Sequence, residues 1–382
     1  METAYLKEEH KILRESLRKF LAKEAYPHFE EWEKQGSIPR SFWKKLGKLG
    51  YLCPWLKEEY GGLEADFGYS VVINEELEKV GTGLIGIGLH NDIVVPYLAE
   101  YGTKEQKQRW LPKCASGEIV TAIAMTEPGT GSDLANISTT AELKEDYYVV
   151  NGEKTFITNG IHADLTVLVC KTYKKASPPH KGISLLVVEN DTEGFSRGKK
   201  LNKVGLHSQD TAELIFDEAK VPKENLLGNH NKGFYYLMEK LQQERLIVAI
   251  GGISASERML ELTVDYVKQR QAFGRSIASF QNTQFTLAEL QTEVEIGRTF
   301  LDRTIEAHMN GKDVVKEVSM AKWWITDLVK KVATACMHLH GGYGYMEEYE
   351  IARRFRDAPV TAIYAGSNEI MKSIIAKKMD LV

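Results

Sequence analysis

The spacing of hydrophobic residues changes twice along the chain. In the first segment Leu13, Leu17 and Leu21 recur at helical intervals within a charged background. Near residue 121 the pattern becomes short β-branched and aromatic runs that are separated by tight turns such as Asn151-Gly152. From about residue 233 the helical period returns and persists. These changes predict a helical, then β, then helical chain of the α+β class.

Three domains follow from the changes of pattern. We expect an N-terminal helical domain over 1–120, a middle β-barrel or sandwich domain over 121–230, and a C-terminal four-helix bundle over 231–382. In the last segment one apolar stripe ends at Gly341-Gly342, a typical helix stop. The stripe consists of Ala321, Trp324, Leu328, Val332, Ala335 and Leu339.

Composition and charge exclude several classes of protein. The chain has 49 basic and 53 acidic residues, and this net charge of -4 argues against nucleic-acid binding and against a polybasic membrane anchor. No apolar run reaches the length of a membrane-spanning helix, and the charged N-terminus does not resemble a signal peptide. The four cysteines are far apart in sequence, so neither a metal site nor a disulfide framework is expected. A reduced, cytoplasmic protein fits best.

A glycine motif near residue 81 resembles a dinucleotide-binding loop. Gly81, Gly83 and Gly86 match GxGxxG, but that loop requires a preceding strand within a βαβ unit. Here a charged, helix-like segment at 74–79 precedes the motif. We therefore interpret it as a flexible connection between helices.

A second glycine-rich segment is a stronger chemical signal. Residues 125–133, MTEPGTGSD, open the β segment with a loop that is fixed by proline and glycine. The hydroxyls of Thr126 and Ser132 and several backbone N–H groups are available as donors. Such donors suit the polar edge of a flavin ring, which gains negative charge when the flavin is reduced.

Five motifs together resemble the acyl-CoA dehydrogenase family. They are TEPGTGSD, NGEKTFITNG, RQAFG, HGGYGY and IYAGSNEI, and they occur in the family's order across a resemblance that covers the whole chain. The resemblance implies the family's helical–β–helical fold, FAD as cofactor, and removal of an α-proton and a β-hydride from an acyl thioester. It is closest to the long-chain and isovaleryl branches, because of residues 243–246, QERL, and because of the residue at position 365.

The catalytic base is expected on a helix. Many family members place the base at the position that matches Ala365, which cannot accept a proton. In the long-chain and isovaleryl branches the base occupies the position that matches Glu244. Four successive polar residues, 242–245, cover all sides of a helix, so at least one of them should face inward. Burial should raise the pKa of Glu244, and the adjacent Arg245 should limit that rise.

The resemblance also implies how the substrate is held. The backbone N–H of Ala365, together with a flavin ribityl hydroxyl, would polarise the thioester carbonyl, and the small side chain would leave room beside the α-carbon. The other substrate-binding candidates are Ser132, Arg245, Tyr364 and Gly366.

The cofactor contacts implied by the resemblance come from two subunits. One group would contact the flavin and its phosphates: Met125, Thr126, Gly131, Ser132, Phe156 and Thr158. A second group would reach the pyrophosphate or adenosine, in part from a neighbouring subunit: Arg270, Phe273, Gln281, Gly341, Gly342, Ser367 and Glu369. His338 stands where close relatives have glutamine, and two interpretations stay open, an FAD contact or a histidine packed in the bundle. A homotetramer is the expected assembly.

Several alternatives remain open at this point. The acyl group could be carried by CoA, or it could be an aminoacyl group, notably prolyl, on a carrier protein in natural-product biosynthesis. Electrons could pass to an electron-transferring flavoprotein or to oxygen. Because Ala365 lacks a carboxylate, a catalytically silent family member acting as a binding protein is a further alternative.

Overall fold

The computed structural model describes residues 5–381, and its first part is helical. Side-chain caps set two of the helix starts. The Asp66 carboxylate accepts a 2.9 Å hydrogen bond from the N–H of Gly68, and the Thr103 hydroxyl accepts one of 3.2 Å from the N–H of Gln106. The helices are α1 (Glu8–Glu24), α2 (Phe29–Gln35), α3 (Arg40–Lys48), α4 (Phe67–Val80), α5 (Ile85–Gly88), α6 (Val95–Tyr101) and α7 (Lys104–Ser116), with a π-helical stretch, Leu89–Val94, between α5 and α6.

The glycine motif at 81–86 joins α4 to α5, and within residues 5–80 no strand precedes it. It is therefore not a dinucleotide loop, but the expected flexibility is wrong, because the motif is buried apart from the half-exposed Ile85. A β-carbon on Gly83 would lie 1.9 Å from Ser208 Oγ, and one on Gly86 would lie 2.2 Å from Gln209 Oε1. The glycines thus allow this connection to pack directly against a loop of the β segment.

The middle of the chain forms one eight-stranded sheet, and a separate two-stranded hairpin lies later in the chain, between two long helices. The neighbours in the sheet follow the order β6-β7-β3-β2-β4-β5-β8, and β1 pairs in parallel with β4. The strands are β1 (Thr121–Ala124), β2 (Thr140–Lys144), β3 (Tyr147–Thr158), β4 (Leu165–Lys171), β5 (Ile183–Glu189), β6 (Phe195–Lys200), β7 (Thr211–Pro222) and β8 (Leu226–Leu227); β9 (Gln271–Ala272) and β10 (Arg275–Ser276) form the hairpin.

Both faces of β4 and β5 are buried, which explains why these strands are apolar throughout. Leu168 and Leu186 belong to a core that the curled sheet encloses, together with Tyr148 and Phe216. The alternate residues of the same strands, such as Val167, pack against α6, α7 and the first turns of the long helix that begins at Gly233. The sheet is thereby fixed against these helices.

Three long helices and two short ones complete the chain. They are α8 (Gly233–Gln269), α9 (Gln281–Met309), α10 (Val315–Leu339), α11 (Glu350–Asp357) and α12 (Asn368–Lys377). The fold is thus helical, then β, then helical, as the α+β prediction stated. The domain boundaries near 120 and 230 stay a prediction. None of the helices within residues 5–381 has the length and the apolar character that a bilayer span requires.

The stripe predicted for α10 is only partly buried. Ala321, Leu328 and Val332 lie in the core, but Trp324 keeps 36% of its surface exposed. The buried face instead runs through Val318 and Ile325, because α10 packs between α8 and α9. Trp324 turns toward α9, where a β-carbon on Gly297 would lie 2.8 Å from the indole. The sequence pattern missed this because the residue that accommodates the ring lies on another helix.

Candidate active site

One cavity of about 470 Å³ lies where the sheet, α8 and the segment 364–366 meet. Its wall is apolar over most of its area, through side chains such as Leu89, Ile93 and Val248. The residues that the sequence predicted for the flavin and the substrate also line it: Met125, Thr126, Gly131, Ser132, Phe156, Thr158, Glu244, Arg245, Tyr364, Ala365 and Gly366.

The four polar residues of α8 divide between packing and the cavity. Gln242 hydrogen-bonds His308 of α9 at 3.0 Å, and Gln243 donates to the carbonyl of Asp92 at 2.7 Å. Asp92 lies in the π-helical stretch, a kind of irregular turn that is frequent at functional sites. The bond ties that stretch to α8 directly beside Glu244. Glu244 and Arg245 therefore line the cavity on a rigidly held segment.

Glu244 has the environment of an activated carboxylate. One of its oxygens, Oε2, is buried and has no hydrogen-bond partner in the described part of the chain. Burial raises the pKa of Glu244 to about 7, and the charge of Arg245 acts in the opposite direction. A carboxyl with this pKa is substantially ionised near neutral pH and still basic enough to accept a proton.

Arg245 is buried next to Glu244. Its Nε has no hydrogen-bond partner within residues 5–381, and burial lowers its pKa against the opposing effect of Glu244. One Nη lies 3.9 Å from the position that a β-carbon on Gly366 would occupy. The guanidinium thus approaches the turn that contains Ala365, from the side of the base.

Ala365 and Gly366 form an unusual turn. Both have left-handed backbones, with φ of 56° and 90°, and for alanine this conformation is unfavourable by roughly 1–2 kcal/mol. Their N–H groups donate to no acceptor among the described residues. An N–H without an acceptor, on the wall that Glu244 also lines, is available to a ligand oxygen.

The loop 125–133 is anchored by a buried ion pair. Lys154 of β3 is fully buried and donates at 2.9 Å both to the carbonyl of Met125 and to Glu127 Oε1. Glu127 also accepts from Ser138 and Thr139, and despite its burial these donors lower its pKa to about 2. Neither Lys154 nor Glu127 was predicted from the sequence as a site residue. The burial of Lys154 could have been predicted from the alternation of side chains along β3, because Lys154 is on the same face of the strand as the buried Tyr148 and Val150.

The anchored loop leaves donors free toward the cavity. Within residues 5–381 the N–H groups of Thr126, Gly131 and Ser132 donate no hydrogen bond. A β-carbon on Gly131 would have nothing within 4 Å. Phe156, with φ of 59°, keeps 68% of its surface exposed beside these donors. An aromatic face and a row of free N–H groups suit a planar ligand with a polar edge and phosphates.

A second cavity, of about 620 Å³, collects part of the second predicted group. Arg270, His338, Gly341 and Gly342 line it, and the Arg270 guanidinium lies 5.4 Å from the centre of the Tyr343 ring. His338 is exposed there, so the alternative of a histidine packed inside the bundle is wrong. The lining residues of this cavity are all different from those of the first.

Four predicted cofactor residues lie outside both cavities. Phe273 is at the tip of the β9–β10 hairpin with 96% of its surface exposed, and Gln281 is exposed at the start of α9. Ser367 caps α12 by accepting from the N–H of Ile370, and Glu369 is exposed in the first turn of that helix. A single chain therefore does not bring all the predicted cofactor residues together.

Comparisons with known proteins identify relatives over nearly the whole chain. Residues 7–118, 122–219 and 231–379 match the N-terminal, middle and C-terminal domains of acyl-CoA dehydrogenases. The long-chain specific acyl-CoA dehydrogenase of Rattus norvegicus is 47% identical over 97% of this chain and 86% of its own. The crystal structure of an acyl-CoA dehydrogenase from Geobacillus kaustophilus has a TM-score of 0.99 at 69% identity, covering 99% of this chain and 100% of its own. An acyl-CoA dehydrogenase complexed with FAD from Bacillus anthracis has a TM-score of 0.92 at 31% identity, covering 100% of this chain and 68% of its own.

Proposed function

The chain belongs to the acyl-CoA dehydrogenase family, whose members are FAD-dependent oxidoreductases, and from this premise we propose that it oxidises long-chain acyl-CoA with Glu244 as the base. One observation carries the proposal: among residues 5–381, a buried Glu244 oxygen has no hydrogen-bond partner, and it lines the same cavity as Ala365, whose N–H has no acceptor there. A base and a donor for a developing enolate oxygen are what α-proton abstraction from a thioester needs.

The first bond to break is the α-carbon–hydrogen bond of the thioester. Glu244 takes the proton, and the electron pair moves toward the carbonyl oxygen, where the N–H of Ala365 stabilises the charge. Arg245 keeps enough of Glu244 ionised for this step at neutral pH. FAD, when bound, supplies the acceptor for the β-hydride.

The residues present suit FAD. The free N–H groups of Thr126, Gly131 and Ser132 would hold polar atoms of the flavin and its phosphates, and Phe156 would cover one face of the ring. Arg270 would hold a diphosphate through paired hydrogen bonds from a neighbouring subunit. We therefore propose a homotetramer, with a dimer that shares its cofactor sites as the smallest active unit.

A chamber beyond the main cavity supports a long acyl chain as the substrate. The chamber lies between α4 and α8, and it shares Ile85, Ile247, Val248 and Tyr364 with the main cavity. Gly251 and Gly252 of α8 line it without side chains. The chamber is small, about 40 Å³, and its wall is mostly apolar apart from residues such as Glu78 and Arg354, so it suits the end of a hydrocarbon tail that enters from the main cavity. A compact prolyl group would leave it empty. The named relatives support CoA as the proposed carrier and electron-transferring flavoprotein as the proposed acceptor, and the cytoplasm remains the proposed compartment from the sequence.

A screen of flavin reduction tests the proposal. The purified FAD-bound protein is mixed without oxygen with long-chain, short-chain and branched acyl-CoA and with prolyl-loaded carrier protein. We expect loss of the flavin absorbance to be fastest with long-chain acyl-CoA. Reduction by the prolyl carrier protein alone would establish the alternative substrate, and measuring peroxide formed in air during turnover would detect oxygen as acceptor.

Replacing the proposed base gives the decisive comparison. In Glu244→Gln we expect FAD to remain bound while the reduction rate falls by roughly four orders of magnitude or more, since the amide cannot accept the proton. Glu261→Gln is the matched control, because Glu261 is an exposed residue of the same helix. If Glu244→Gln kept the wild-type rate, another group would be the base.

A further inference from the structure

Lys322 of α10 is a fully buried lysine close to the proposed active site. Its Nζ donates a 2.8 Å hydrogen bond to the carbonyl oxygen of Gly366 and a 3.1 Å bond to Asn368 Oδ1. No carboxylate of the described residues lies within 4.0 Å of Nζ. The ammonium is therefore held by two neutral oxygens, an expensive arrangement for a buried charge.

The environment of Lys322 destabilises its charged form. Burial lowers the pKa of Lys322 to about 8, and the nearby charge of Arg245 acts in the same direction. An apolar side chain at this position would avoid both costs. Whatever Lys322 does for the structure, it does through the two oxygens that its Nζ binds.

Those oxygens belong to the turn that contains Ala365 and to the helix that follows it. Asn368 is fixed in turn, because its Nδ2 donates at 3.0 Å to Asp327 Oδ1 and its Oδ1 also accepts from Thr326. With the Gly366 carbonyl held toward α10, the left-handed backbone at 365 and 366 is maintained. The N–H groups of these residues then find no acceptor within the described part of the chain, and Ala365 lines the cavity.

We propose that Lys322 is a positioning residue that fixes the Gly366 carbonyl toward α10 and thereby presents the Ala365 N–H to the thioester oxygen. This inference rests on the proposed function. It places the lysine one step behind the reacting atoms, since Lys322 touches neither base nor cavity and acts through the backbone. The task is geometric, because a donor that shifts by about 1 Å can lower the rate by roughly a hundredfold.

The first test compares rates in Lys322→Met with those in the wild type. We expect the variant to bind FAD, to raise KM for long-chain acyl-CoA by no more than about tenfold, and to lose roughly a hundredfold in kcat. Lys331→Met is the matched control, since Lys331 is an exposed lysine of the same helix that pairs with Glu293. An unreactive wild type would refute the proposed function, whereas a reactive wild type with an equally fast Lys322→Met would refute only this inference.

The second test measures ligand binding and does not depend on turnover. One ligand is a long-chain CoA thioester with sulfur in place of the β-carbon, which cannot form the double bond. The other is the alkyl thioether of CoA, which lacks the carbonyl. In titration calorimetry of the FAD-bound protein, Lys322→Met should weaken the thioester about tenfold and leave the thioether within about twofold.

Two outcomes of these measurements would overturn the proposal. If Lys322 only joins α12 to α10, Lys322→Met will lose thermal stability, but each FAD-bound molecule will keep its kcat and both ligands will change equally. If Lys322→Met does not fold, Lys322→Gln takes its place, since the shorter amide cannot reach both oxygens. Full kcat and unchanged ligand discrimination in Lys322→Gln would likewise refute a positioning role.

Discussion

At the scale of single residues, burial and charge act against each other on Glu244. Burial alone would keep the carboxyl protonated at neutral pH, and Arg245 alone would make it a weak base. Together they bring its pKa to about 7. The same conflict recurs at Glu127, where burial is opposed by Lys154 and three further donor groups, and there the pKa falls to about 2. One carboxyl is thus poised to exchange a proton, and the other is fixed as a structural anion.

This balance predicts a single rising limb in the pH profile of the reaction. Glu244 must be ionised to accept a proton, so kcat/KM should rise about tenfold per pH unit below its pKa and level off above about pH 7. The rate of flavin reduction by limiting long-chain acyl-CoA, measured from about pH 5.5 to about pH 9, gives the profile. A profile that stays flat through this range would exclude a base with the pKa of Glu244.

A substitution of Arg245 tests whether the pKa of Glu244 sets the position of that rising limb. Its charge lowers the pKa of Glu244, so Arg245→Gln should move the rising limb to higher pH. Glu261→Gln should leave the limb where it is. Movement to lower pH in Arg245→Gln would mean that another group sets the profile.

At the scale of elements, periodicity predicted the helices and strands better than it predicted which faces meet. The apolar runs of β4 and β5 and the helical spacing in α1 match the observed elements. The burial of segment 81–86 did not follow from sequence, because Ser208 and Gln209, which occupy the space above its glycines, are distant in the chain. The predicted burial of Trp324 was wrong for the same reason, because the space for its ring is left by Gly297, which lies on α9.

The candidate site was predictable where a side chain carries the chemistry and unpredictable where the backbone does. Glu244 could be singled out because the resemblance to acyl-CoA dehydrogenases implies a base at its position in the branches that lack a carboxylate at the position of Ala365. Lys322 could not, because its partner is the carbonyl of Gly366, and every residue has a carbonyl. The left-handed turn at 365–366 likewise depends on contacts with α10 that no local pattern encodes.

The chamber between α4 and α8 leads to a prediction about the length of the acyl chain that the protein accepts. A β-carbon on Gly251 would have only Glu78 Oε2 within 4 Å, at 3.7 Å, so a side chain fits there and projects into the chamber. Gly251→Leu should fill the chamber and lower kcat/KM for long-chain acyl-CoA by roughly tenfold or more, since the buried tail would be excluded.

Short substrates supply the internal control for that variant. We expect butyryl-CoA to be too short to reach the chamber, so its kcat/KM in Gly251→Leu should stay within about threefold of the wild type. Gly251→Ala should have an intermediate effect on long chains. If kcat/KM fell equally for butyryl-CoA and for long-chain substrates, the substitution would be disturbing α8 as a whole and not filling the chamber.

At the scale of the whole molecule, the two cavities of one chain predict sites that are shared between subunits. Glu244 lines the first cavity and Arg270 the second, and Phe273 projects from its hairpin with almost its entire surface exposed. In the proposed dimer each FAD would use the first cavity of one subunit and Arg270 of the other. Two different inactive subunits should then restore one complete site.

Coexpression of Glu244→Gln with Arg270→Glu tests this arrangement. Each variant alone should be inactive, the first without its base and the second with a carboxylate that repels the diphosphate of FAD. Equal mixing makes half of the dimers mixed, and in each of these one of the two sites has both native residues, so about a quarter of wild-type activity should return. Pairing Glu244→Gln with Lys322→Met, both next to the first cavity, should restore almost nothing. Because a site built within one subunit cannot be repaired by mixing, failure of the first pair to recover activity would assign Arg270 and Glu244 to the same chain's site.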